Sequence, residues 1–265
     1  MKPKKGALDV VILCGGMGSR LKEETEFKPK PMVEIGGKPI IWHIMKYYSH
    51  FGFSRFILAL GYKGEYIKKY FYDYGLLSSD LTIVLDPKVA PRIHNISQEN
   101  HWEITCVDTG LNTLKGGRVK RLEPYIKSRD FLLTYGDGVC DVDLKALISF
   151  HRAHGKTGTV TAVRPPSRFG EMRIEGKAVR EFEEKPQLTT GYINGGYFIF
   201  KREFLDRLTF DEGCDLEFGA LQELSHAGEL MAYKHNGYWQ CMDTLRDAEY
   251  LNKLWRADKS PWKVW

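Results

Sequence analysis

Long apolar runs are missing from this 265-residue chain, and no stretch approaches the roughly 18 consecutive apolar residues of a membrane-spanning helix. A membrane partner is therefore not expected. Cysteine is scarce too. The five residues Cys14, Cys106, Cys140, Cys214 and Cys241 are odd in number, widely spaced and never form a Cys-x-x-Cys pair. That pattern argues against a disulfide framework or a zinc ribbon and predicts reduced thiols in a cytoplasmic protein. A strong charge excess is also lacking: 39 Lys and Arg against 34 Asp and Glu leave a net charge of +5, and three of those positive charges fall in Met1-Lys2-Pro3-Lys4-Lys5. Nucleic-acid binding ordinarily needs a basic face, so no nucleic-acid partner is expected and a small anionic ligand fits better. Internal repeats and low-complexity linkers are absent. The start of the chain imitates a secretory leader, but Asp9 heads the short apolar run, and Leu13 is too bulky to precede a processing site at Cys14. What is present is 43% hydrophobic residues, enough for one large core, which excludes disorder and fibre.

Along the chain, β-branched apolar runs alternate with helix-period segments. Strands are expected over 10–13, 56–60, 81–85, 103–107 and 131–135, and helices over 39–51, 65–74, 117–126 and 144–154. Strand, helix, strand in succession predicts a doubly wound α/β sheet. Short strands then follow over 157–163, 172–175, 178–182 and 192–200, reading as a mixed, partly antiparallel extension. Helices over 216–227 and 245–255 and a packed aromatic tail, Trp262-Lys263-Val264-Trp265, complete the chain. Residues 86–108 break the pattern and read as an irregular excursion, either a lid or an oligomer contact.

Three constellations could carry chemistry. Leu13-Cys14-Gly15-Gly16-Met17-Gly18-Ser19-Arg20-Leu21 puts three glycines and an arginine directly after the first strand, where bare backbone N–H groups can approach phosphate. It lacks the Gly-Lys-Ser/Thr ending of a P-loop and the third glycine of a dinucleotide fingerprint, and a plain turn is the alternative. Phe27-Lys28-Pro29-Lys30-Pro31-Met32 holds two lysines on a proline-stiffened, extended segment. Finally, Tyr135-Gly136-Asp137-Gly138 ends a strand where open α/β sheets place their ligand crevice, and Asp243 waits far along the chain in Cys241-Met242-Asp243-Thr244. Two hard carboxylates suit Mg²⁺; the alternatives are an Asx turn at Asp137 and a helix cap at Asp243. Asp141-Val142-Asp143 resembles a glycosyltransferase metal triplet, although Asp143 is better placed as the cap of the next helix. His151 and His154 have no third ligand nearby in sequence and read as surface residues.

Taken together, Gly15-Gly16-x-Gly18-Ser19-Arg20-Leu21, Lys28-Pro29-Lys30-Pro31-Met32, Gly37-Lys38-Pro39-Ile40, Gly136-Asp137-Gly138 and Glu184-Lys185-Pro186 resemble the sugar-phosphate nucleotidyltransferases in order and spacing. The likeness runs from Val10 to the end and leaves residues 1–8 outside. It implies a Rossmann-like, doubly wound mixed sheet with a small antiparallel extension, as one domain over 9–265. Val107-Asp108-Thr109-Gly110, Gly116-Gly117-Arg118 and Met242-Asp243-Thr244-Leu245-Arg246-Asp247 are similar to the branch of that family that joins CTP and glucose 1-phosphate into CDP-glucose and pyrophosphate, with Mg²⁺ and usually as a homo-oligomer.

Position by position, the resemblance implies that Leu13, Cys14, Gly15, Gly16 and Met17 hold the nucleotide, and Gly18, Ser19, Arg20 and Lys30 its phosphates. Thr113 and Arg118 would contact the nucleotide, and Gly136 would line the site. Asp137 and Asp243 would ligate magnesium, while Glu184, Lys185 and Asn194 would meet the sugar phosphate. Arg20, Lys30 and Asp137 are the expected catalytic set. Cys14, Ser19, Thr113 and Cys241 stand where the family pattern has alanine, threonine, serine and proline.

Overall fold

The first apolar run folds as strand β1 (Asp9–Cys14) and is buried along its whole length. Val10, Ile12 and Cys14 enter one apolar layer while Val11 and Leu13 enter the other, the two-sided burial expected of a central strand in a parallel sheet. The computed structural model describes residues 8–95, 99, 101–165, 171–183 and 191–265.

Six further strands join β1 in one sheet: β2 (Arg55–Leu60), β3 (Glu103–Asp108), β4 (Asp130–Tyr135), β5 (Gly158–Val163), β6 (Ile193–Lys201) and β7 (Leu230–His235). Their spatial order is β7-β5-β6-β4-β1-β2-β3. Strands β4, β1, β2 and β3 are mutually parallel, and β6 runs antiparallel to both of its neighbours. The mixed α/β sheet anticipated from the alternation is present. The four short strands divide, however: the first and last enter the main sheet, while Glu171–Glu175 and Ala178–Glu183 form a separate antiparallel ribbon.

On one face lies α1 (Ile40–His50), which follows Pro39 and buries eight of its residues. It packs with Leu251 and Trp262, so the aromatic tail is part of the core. The other face is covered by α2 (Lys115–Arg121) and by Leu216, Ala220, Leu221 and Leu224.

Several elements differ from their sequence expectation. The helix expected over 117–126 ends at Arg121, because Pro124 has no N–H to donate and restricts Glu123. The strand expected over 81–85 is only Asp80–Thr82, paired with Arg92–His94 in a ribbon outside the main sheet; its apolar residues Ile83 and Leu85 are exposed instead. The helix expected over 65–74 breaks after Tyr72 and resumes as a single turn. Over 216–227, a π-helical turn (Leu216–Leu221) precedes the α-helical part. His151 is buried rather than at the surface: its ring and that of His154 both hydrogen-bond Thr159 Oγ1, at 2.7 and 2.8 Å. No helix among the described residues is long and apolar enough to cross a membrane.

Candidate active site

The glycine loop leaves β1 at the carboxyl end of the parallel strands, with bare backbone packed on bare backbone. Gly136 N donates to Leu13 O at 3.0 Å, and Tyr62 N to Gly15 O at 3.2 Å. A Cβ on Gly136 would stand 2.8 Å from Leu13 O, so only glycine lets the two chain segments touch. Gly18 has a φ of +63°, and Thr25 Oγ1 donates to its carbonyl at 3.1 Å. Leu21 is fully buried and anchors the loop, leaving Gly16, Met17, Ser19 and Arg20 exposed.

Lys30 sits on a single 3-10 turn (Lys30–Met32) after an extended Pro29, not on a fully extended segment; Pro31 is tolerated because the first residues of a helical turn need no N–H donor. Lys30 is only 8% exposed. Its Nζ reaches Asp137 Oδ2 at 2.6 Å and Asp243 Oδ1 at 2.5 Å, and Arg20 Nη1 reaches Asp243 Oδ2 at 2.8 Å. Two carboxylates distant in sequence thus share one ammonium. A short antiparallel ribbon makes this possible: Gly138–Cys140 pairs with Trp239–Cys241, and Met242 N donates to Asp137 O at 2.8 Å. Neither of those strands was evident from the sequence.

Burial by itself would lower the pKa of Lys30, but the Asp137 carboxylate, with Asp243, raises it above the ordinary lysine value. Burial would raise Asp243, yet the Lys30 and Arg20 charges hold it below the ordinary carboxylate value. Both directions favour the charged forms. Cys241 Sγ donates to Asp243 Oδ2 at 3.5 Å, and burial together with the Asp243 charge pushes this thiol up to about 12, so it stays a donor.

Asp243 is not a helix cap. Thr244 caps the helix α5 that follows (Leu245–Arg256; α3 is Leu144–His154 and α4 Gln222–His226), in a capping box with Asp247. The spacing Thr244-x-x-Asp247 was the available sequence signal for it. Asp247 Oδ2 also accepts from Asp243 N at 3.0 Å, which fixes the backbone of Asp243 while leaving its carboxylate for Lys30 and Arg20.

The Asp141-Val142-Asp143 triplet is structural. Asp143 accepts from Lys145 N and Ala146 N as the α3 cap, and Asp141 Oδ1 accepts from Tyr238 N at 2.7 Å and lies 2.8 Å from His235 Nε2. Cys140, Asp141 and His235 are the one convergent group of three or more such ligands among the described residues. Asp141 thus ties Tyr238 and His235 together, and burial raises the pKa of the neighbouring Cys140 thiol.

Arg118 is buried, and its Nη1 donates to Leu60 O, Thr109 Oγ1 and Gly110 O, and its Nη2 to Leu111 O at 3.0 Å. Its guanidinium is engaged by protein oxygens directly beneath Gly15 and braces the loop. Thr113 is likewise buried and accepts from Arg121 Nη1 at 2.9 Å. Asn194 Nδ2 donates to Tyr135 OH at 3.0 Å, and that hydroxyl donates to Glu217 Oε1 at 2.7 Å. Sequence reading missed Glu217 and Arg121; it named Tyr135 within the Gly136-Asp137 motif without a role, and Cys241 as a departure from the family's proline beside Asp243. Glu184 and Lys185 lie outside the described residues.

The family model described as nucleotidyl transferase matches residues 9–248. The chain belongs to the nucleotidyl transferase family. Among relatives of this nucleotidyl transferase, the glucose-1-phosphate cytidylyltransferase of Salmonella typhi is 50% identical over 97% of this chain and 100% of its own length. The mannose-1-phosphate guanylyltransferase catalytic subunit beta of Drosophila melanogaster is 30% identical over 95% of this chain and 64% of its own. A UTP-bound UGPase from Acinetobacter baumannii, 15% identical, superposes with a TM-score of 0.67 over 95% of this chain and 94% of its own, a likeness of fold. Nucleotidyl transferases generally use a divalent metal. The hard oxygens of Asp137 and Asp243 already converge on one cationic centre, so this chain's donor set fits such an ion.

Proposed function

We propose that this nucleotidyl transferase is a Mg²⁺-dependent glucose-1-phosphate cytidylyltransferase that joins CTP and α-D-glucose 1-phosphate into CDP-glucose and pyrophosphate. The observation that carries the reading is Lys30, whose ammonium lies between Asp137 and Asp243 beneath the glycine loop. The 50% identity with the Salmonella typhi cytidylyltransferase over its whole length supports the choice of substrates.

In this reading Leu13, Cys14, Gly15, Gly16 and Met17 receive the nucleotide, and Thr113 and Arg118 contact it as well. Gly18, Ser19, Arg20 and Lys30 take its phosphates. Asn194, with Glu184 and Lys185, serves the sugar phosphate. An anionic oxygen of glucose 1-phosphate forms a bond to the α-phosphorus of CTP, and the bond from that phosphorus to the bridging oxygen breaks as pyrophosphate leaves with its electron pair. The nucleophile is already ionised at neutral pH, so no side chain has to remove a proton. The chain's task is to hold two polyanions in line and to neutralise charge on the leaving group, which falls to Arg20 and Lys30. Mg²⁺ held by Asp137 and Asp243 would supply further charge neutralisation at the phosphates.

Residues 9–265 work as one domain in this proposal, in a cytoplasmic homo-oligomer. Exposed Leu77 and Leu85, at 78% and 98%, are apolar surface that a second copy would cover. The deciding experiment measures pyrophosphate release from Mg²⁺ and glucose 1-phosphate with CTP, UTP, dTTP, ATP and GTP in turn. Release with CTP is expected. Release with another nucleotide alone would replace the cytidylyl assignment and keep the chemistry, and release with none would overturn the reading for this sugar.

A further inference from the structure

We infer that Lys30 and the divalent cation of this site hold the same two carboxylate oxygens in turn, so that cation and phosphate binding are coupled through one ammonium group. The inference rests on the assignment of Asp137 and Asp243 as cation ligands.

The geometry is specific. Lys30 Nζ lies 2.6 Å from Asp137 Oδ2 and 2.5 Å from Asp243 Oδ1, one oxygen of each carboxylate that would hold the cation. The remaining Asp243 oxygen is engaged by Arg20 at 2.8 Å and Cys241 at 3.5 Å. A divalent ion held by Asp137 and Asp243 would displace the ammonium, since two cations cannot share these carboxylates at contact distance without strong repulsion.

The displaced group has a limited range. Its Cβ packs against the glycine loop, 3.2 Å from where a Cβ on Gly18 would lie, and the residue is buried. A buried ammonium must keep an anionic partner. The loop that Lys30 borders is where phosphate is proposed to bind, so phosphate supplies the anion that Lys30 loses. The carboxylates, in turn, gain the cation they require. Each ligand therefore strengthens the other by the same factor, as linkage demands. Arg20 differs. Its side chain is 68% exposed, so it leaves Asp243 with little cost and contributes mainly to phosphate affinity.

The test is Mn²⁺ binding to the full-length protein without nucleotide, read from the free Mn²⁺ signal by electron paramagnetic resonance. Lys30→Met is expected to bind Mn²⁺ at least about tenfold more tightly than the wild type, because two uncompensated carboxylates then face the ion. Lys30→Gln should move in the same direction, and it guards against a folding defect peculiar to methionine; both are checked by circular dichroism. Arg20→Ala should change Mn²⁺ affinity far less. Lys30 variants that fold and bind Mn²⁺ no more tightly than the wild type overturn the inference. The metal assignment is judged separately, by whether Asp137→Asn removes the bound-Mn²⁺ spectrum that CTP induces. If that spectrum survives Asp137→Asn, the assignment fails and the inference with it.

Discussion

The Arg118 guanidinium lies so close beneath Gly15 that a methyl group there would stand 2.2 Å from Nη1. A side chain at Gly15 must therefore dislodge an arginine bonded to Leu60, Thr109, Gly110 and Leu111. Gly15→Ala is expected to raise KM for CTP by about tenfold or more and to lower thermal stability, since a shift of the loop misplaces the nucleotide. A Cβ on Gly16 meets nothing within 4 Å, so Gly16→Ala should leave the melting temperature unchanged. Differential scanning fluorimetry beside steady-state kinetics separates the two.

Removing either carboxylate should affect chemistry more than folding. Asp137→Asn and Asp243→Asn are each expected to lower kcat by about 100-fold or more, because positioned charge supplies most of the acceleration here. Chelation of divalent ions should abolish turnover, and added Mg²⁺ should restore it. Near-normal turnover in Asp137→Asn with an unchanged Mg²⁺ requirement would contradict the assignment.

Cys241 is a positioning residue for Asp243. Its thiol, pushed up to about 12 by burial and the neighbouring carboxylate, remains a donor across the working range. Cys241→Ala should cost about threefold to tenfold in kcat, the worth of one hydrogen bond, and Cys241→Ser should recover most of it. The raised pKa also predicts slow alkylation by iodoacetamide at pH 8, which mass spectrometry of the peptide reports.

The Thr244 cap bears on stability and on the site together. Thr244→Ala removes the acceptor for Asp247 N and a donor to Asp247 Oδ2, so a loss of about 1 kcal/mol in urea unfolding is expected. Asp243 N loses part of its support in the same change, and kcat should fall with it.

Acid should weaken the fold through His43. Burial lowers its pKa from 6.5 to about 4. Its ring pairs with Ile35 O at 2.8 Å through Nε2 and accepts from Trp262 Nε1 at 3.4 Å through Nδ1, which is the neutral tautomer. The unfolded chain thus binds a proton between about pH 6.5 and 4 that the folded chain refuses, so stability is full above that window and falls as pH drops through it. A shift of this size corresponds to about 3 kcal/mol. His43→Gln should flatten the dependence of the urea midpoint on pH in that range.

Much of the sheet is legible locally. Val10-Val11-Ile12-Leu13 needs burial on both faces, Pro39 starts a helix, and Asp143 caps one, whatever the rest of the chain does. Some misread elements had local signals, Pro124 for the early end of the 117–126 helix and Thr244-x-x-Asp247 for the cap, while others depend on partners outside their own segment. Ile83 and Leu85 have strand-like composition but no strand beside them, and His151 looks polar and superficial until Thr159 arrives against it.

The glycine loop, the α/β alternation and the residue types of the site were readable from the amino-acid order alone, because backbone freedom, burial periodicity and charge are properties of short segments. That Lys30 stands between Asp137 and Asp243 and that Arg118 braces Gly15 came only with the folded chain. Those relations join strands and turns far apart in the chain, and their distances are fixed by sheet order and ribbon pairing, which no local pattern encodes.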